Sequence, residues 1–129
     1  MSFAAGQQWT YRAPPEISDS RVVIGAILAF EGDSRIVCAS VLGALQTNPD
    51  GAVVRVTIPF LPMTEDALSA TVVTLDGTAD VAPEFASHFE AWHGDARGLS
   101  YFTVPFEGSL DRMIALQMAD IIGAGEGTA

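Results

Sequence analysis

The sequence predicts an α+β fold, a mostly antiparallel sheet of four to five strands covered by two to three helices. Three observations carry this reading. Residues 20–42, SRVVIGAILAFEGDSRIVCASVL, form two apolar stretches joined by the short polar loop Glu31-Gly32-Asp33-Ser34. A third apolar alternation follows at 53–60. Beyond it the hydrophobic period lengthens toward that of helices, and strands followed by helices favour segregated layers over βαβ alternation. The hairpin is apolar on both faces. Pairing Phe30 with Arg35 sets Leu28 beside Val37, Ala26 beside Ala39 and Ile24 beside Val41, while Val23, Gly25, Ile27 and Ala29 oppose Ile36, Cys38, Ser40 and Leu42. A hairpin of that kind needs cover on both sides.

Taken in order, residues 6–12 (GQQWTYR) read as a first short strand, with Trp9 and Tyr11 on one face. Pro14 and Pro15 lack amide donors and end it, leaving 13–19 as a surface loop. Gly6, Gln7, Trp9, Tyr11 and Arg12, followed by a proline-bearing loop and then Ser20, Arg21, Ile24 and Gly25, spell GQxWxYR and DSRxxIG. This opening resembles a group of small uncharacterised bacterial proteins. The resemblance implies no activity and no site residue.

Asn48-Pro49-Asp50-Gly51 marks a turn, and Val53–Phe60 completes a meander that can curl toward a partial barrel. Thr64 suits a helix N-cap, with Glu65 and Asp66 in the first turn. Leu68, Val72 and Leu75 then recur at helical spacing up to Gly77, which predicts a helix over 65–75. The run Ala70-Thr71-Val72-Val73-Thr74 argues the other way, because β-branched residues favour strands. A second helix is expected between Pro83 and Gly94, with Phe85, Phe89 and Trp92 on one face and His88 beside them. Ser100–Phe106 reads as a fourth core strand. Ser109 caps a last helix from Leu110 to about Ile122, centred on Leu110, Met113, Ile114, Gln117 and Ile121 and widened by Met118 and Ile122. Residues 1–122 are expected to form one domain and 123–129 a disordered tail.

Composition excludes several function classes. The 129 residues carry 6 Arg or Lys against 16 acids, a net charge of −10. The imbalance lies in the second half: residues 1–60 hold four Arg and five acids, residues 61–129 two Arg and eleven acids. Phosphate-backbone and anionic-membrane binding need clustered positive charge, so neither nucleic acid nor a membrane is an expected partner. No apolar run approaches the ~20 residues of a membrane span, and the first residues lack the basic and apolar regions of a secretory signal, so a cytoplasmic location is expected. The single Cys38, mid-strand among apolar neighbours, is expected to be structural.

No catalytic motif is present. His88 and His93 are five apart and cannot share an ion from one helix face; no metal site and no cofactor are expected. The expected function is a non-enzymatic binding or assembly module that forms a homodimer. A single sheet face covers a helical stripe of roughly 100°, and the last helix is apolar over a wider arc, so it or an exposed sheet edge is the expected interface. The alternative is a small enzyme or small-ligand-binding protein with a pocket built from Trp9, Phe85, His88 and Trp92. An unidentified protein partner or small ligand belongs to the same two readings.

Overall fold

The computed structural model describes residues 3–29, 35–95 and 100–126. Its sheet is built from β1 (Gln7–Tyr11), β2 (Arg21–Ala29), β3 (Arg35–Thr47), β4 (Val53–Thr64) and β5 (Val72–Thr78). The strands are antiparallel throughout, in the order β4-β3-β2-β1-β5, and the sheet is open. Three helices accompany it: α1 (Glu65–Thr71), α2 (Phe85–His93) and α3 (Leu110–Glu126). The expected loop after β1 holds one 3-10 turn, Pro15–Ile17.

The doubly apolar hairpin is covered on both faces. On one, Val22, Ile24, Val37, Ala39 and Val41 join Trp9, Tyr11, Leu61 and Met63 beneath Ala67 and Leu68 of α1, Phe106, and Met113 of α3. On the other, Ala26, Ile36, Cys38 and Phe60 lie beneath Phe85, Phe89 and Trp92 of α2. Each large aliphatic side chain fully buried in these layers contributes about 1.5–3 kcal/mol. Helix α1 links one sheet edge to the other. Laid flat, five strands would set those edges about 19 Å apart, whereas the seven residues of α1 rise only about 10 Å. The sheet therefore coils around α1, and the first face becomes the concave one.

Four expectations need correction. The hairpin register is shifted: Ala29 pairs with Arg35, Leu28 with Ile36 and Ala26 with Cys38, then a bulge intervenes and Ile24 pairs with Ala39 and Val22 with Val41. The bulge falls at Gly25, where a Cβ would lie 2.7 Å from ring carbons of Phe85. It sends Ile24 and Ala26 to opposite faces, which regular alternation does not foresee. The polar loop 31–34 lies outside the described residues. Second, the helix over 65–75 stops at Thr71. Val72 caps it in extended conformation, its N–H donating to Leu68 O, and the β-branched run continues as β5. Here strand preference overrides helical spacing.

Third, Ser100–Phe106 forms no strand. Phe102 N–H donates to Pro62 O (3.0 Å) and its carbonyl accepts from Thr64 N–H (2.9 Å), and this bridge is isolated. One step back the ladder would need an N–H from Pro62, which has none; one step on, β4 has given way to α1. Fourth, the last helix, expected to stop near Ile122, runs on to Glu126.

The opening-motif residues hold the fold together. Buried Trp9 meets Phe3 edge-on (5.4 Å between centroids), and its Nε1–H donates to Gln7 Oε1 (3.1 Å). Ser20 Oγ donates to Leu42 O (2.7 Å), so Tyr11 OH must be the donor in its 2.7 Å bond to Ser20. Arg21 Nε contacts Asp76 on β5 at 2.7 Å.

Candidate functional site

Helix α2 starts behind Pro83 and carries its aromatic residues at helical spacing, which seats them over the same sheet face. Phe60 of β4 is their hub, 5.5 Å from Phe85 and 5.3 Å from Trp92 between ring centroids. Trp92 then reaches past the sheet edge, and its Nε1–H donates to Ser100 O at 2.5 Å. This bond holds the 100–103 segment beside α2. Gln117 of α3 holds it from the far side, its Oε1 accepting from Thr103 N–H at 2.8 Å. Between the two anchors lies an open groove of about 410 Å³, lined by Phe60, Pro62, His88, Trp92, Ser100, Tyr101, Phe102 and Gln117.

Of the four residues expected to form a pocket, His88 and Trp92 line this groove. Phe85 lies beneath it, buried and stacked on Phe89. Trp9 does not belong: it pairs with Val22 and is buried on the concave face, with the sheet between it and the groove. Tyr101, Phe102 and Gln117 are absent from the sequence-based set. The legible signal was Gln117, a glutamine at the centre of an apolar helical stripe. Tyr101 and Phe102 were hidden by reading their segment as a core strand.

The groove continues onto α3. Met113 anchors the first turns of that helix in the core, but Ile114, Met118 and Ile121 are 45, 56 and 59 % exposed. They are spaced by four and three residues and flank Gln117 along one side of the helix. Tyr101, also exposed, adds to this surface from the groove side.

Chemically the groove is apolar and aromatic with a few polar groups. Its described lining holds one imidazole and no carboxylate, so it presents no paired acid and base. Cys38 is fully buried, and burial pushes its thiol up to about 12, which keeps it protonated and unreactive. Ser40 is equally buried, donating to Pro59 O (2.8 Å) and accepting from Ala82 N–H (3.0 Å), so its hydroxyl is a structural link. Among the described residues no group of three or more His, Cys, Asp or Glu is placed to hold a metal ion, and no helix is long and apolar enough to cross a membrane. Comparison of the chain with protein-family models, curated proteins and solved structures finds no match.

Proposed function

We propose that the chain is a non-enzymatic, cytoplasmic binding or assembly module that acts as a homodimer, with α3 as its interface. One observation carries the reading: the exposed row Ile114, Met118 and Ile121, beside the strip of the same helix that Met113 and Leu110 anchor on the core. The sheet edges are poorer candidates. The outer edge of β4 is interrupted by Pro59 and Pro62 and partly occupied by Phe102. β5 pairs with β1 through two register shifts, and such bulges twist an edge away from further pairing.

Six side chains, each about half exposed in one copy, would contribute on the order of 5–9 kcal/mol when buried between two copies, about half the 1.5–3 kcal/mol of full burial. Association costs of roughly 4–15 kcal/mol or more oppose this, as does the charge of −10 on each copy. A concentration-dependent dimer, strengthened by salt that screens beyond about 8 Å, is the expected state. Light scattering over a tenfold dilution from micromolar concentration, at low and high salt, tests it. A monomeric mass throughout would defeat the proposal.

The groove favours one second reading, a small ligand stacked on Trp92 and Tyr101. Its volume is within the range of small-molecule sites, about 300–1,000 Å³. Screening aromatic fragments by the fluorescence of a Trp9→Phe variant, which retains Trp92 alone, tests that reading; no saturable quenching by any fragment counts against it.

A further inference from the structure

A second open depression, of about 350 Å³, lies at the other end of the 100–110 segment, lined by Arg12, Ala13, Pro14, Glu107 and Arg112. We propose that it binds a small oxyanion, the phosphate or carboxylate group of a compact ligand. The first argument is the pairing of the arginines. Arg21, Arg55 and Arg112 lie 2.7, 2.8 and 3.3 Å from Asp76, Asp19 and Glu107, and Arg35 lies 3.7 Å from Glu65. Among the described arginines Arg12 stands apart: its guanidinium has no ion pair and no hydrogen bond, in a chain with sixteen acids. The opening motif's other residues are accounted for by packing and hydrogen bonds, and the Arg12 side chain is left over.

The second argument is that the walls are fixed. Buried Thr71 ties them together: its carbonyl accepts from Arg12 N–H (3.1 Å) and its Oγ1 from Phe106 N–H (2.9 Å). Gly108, at φ +107°, lies so close to Pro14 that a Cβ would come within 2.6 Å of the proline Cδ. Gly108 O accepts from Leu45 N–H at 2.8 Å, fastening the same segment to β3. Arg12 and Arg112 therefore reach one depression from two rigidly connected pieces of backbone. The third argument is that Arg112 is only loosely engaged. Its single bond to Glu107 is long for a charge-assisted pair, and both side chains are partly exposed. An oxyanion offering bidentate geometry to two guanidinium forks can replace that contact.

The test is an NMR titration of the arginine Nε–Hε signals of the full chain, with inorganic phosphate and separately with succinate, at constant ionic strength in chloride. Saturable shifts at Arg12 and Arg112 are expected. Arg12→Gln should weaken binding about tenfold, the loss of one charge-assisted contact. Glu107→Gln should tighten it, because the internal competitor is gone. Tighter binding of phosphate than of succinate assigns a phosphate ligand; the reverse assigns a carboxylate. Both replaced side chains lie at the surface, and thermal melts verify that the variants fold. Linear, non-saturating shifts with both anions, or an affinity that Arg12→Gln leaves unchanged, would overturn the proposal.

Discussion

Replacing Thr71 by Val tests the packing logic of the concave face at one atom. Thr71 is fully buried, and its hydroxyl donates to Ala67 O (2.8 Å) while accepting from the buried Phe106 N–H (2.9 Å). Valine keeps the shape and removes the hydroxyl. The Phe106 N–H is then left without a partner, a cost of about 1–3 kcal/mol, and the lost bond to Ala67 adds about 1 kcal/mol. The expected destabilisation is about 2–4 kcal/mol. For 129 residues each kcal/mol lowers the Tm by about 4 °C, so calorimetry should show a drop of roughly 8–16 °C. Thr71→Ser keeps the hydroxyl, loses one methyl and should cost only about 1 kcal/mol. A Val variant within about 0.5 kcal/mol of the parent, or a Ser variant less stable than the Val variant, would refute the assignment of stability to these two hydrogen bonds.

Two further outcomes follow from the opposite face. Gly25→Ala places a methyl against the Phe85 ring and should cost about 1–3 kcal/mol in urea unfolding; in a Phe85→Leu background the same change should cost clearly less, so equal costs in both backgrounds would show that the ring is not the obstacle. The Cys38 thiol is raised from 9.0 to about 12 by burial, so the unfolded chain ionises first as pH rises. Its contribution to stability is full below about pH 9 and falls between there and about 12. At pH 8 its alkylation should proceed only through opening of the fold, with rates tracking denaturant-induced unfolding; rapid alkylation of the native protein would contradict its burial.

The layer architecture was legible because it depends on periodicity. Residues 20–42 and 53–60 alternate strongly enough to require a sheet with two covered faces, and the Phe85, Phe89, Trp92 spacing required a helix to cover one of them. What was hidden depends on single contacts between distant residues. The residue at the bulge is glycine because the Phe85 ring, sixty positions away, occupies the space of a Cβ. Placing Trp9 with His88 failed for a related reason: the face of a short strand is decided by its register against β2, which sets Trp9 opposite Val22. Leu68, Val72 and Leu75 are equally compatible with a helix and with a helix followed by a strand; the β-branched run from Thr71 favours the strand, which pairs with β1. His88 and Trp92 came together because they are four residues apart on one helix, the shortest-range inference available.

The α3 interface is tested most directly by sedimentation equilibrium on a Met118→Glu/Ile121→Glu variant beside the parent. Both positions are more than half exposed, so the charges burden the proposed interface and leave the core intact. The expected result is a parent whose mass approaches that of two chains as concentration rises, and a variant that stays at one chain with an unchanged circular dichroism spectrum. A variant that dimerises as well as the parent, or a parent that remains at one chain, would contradict an interface on α3.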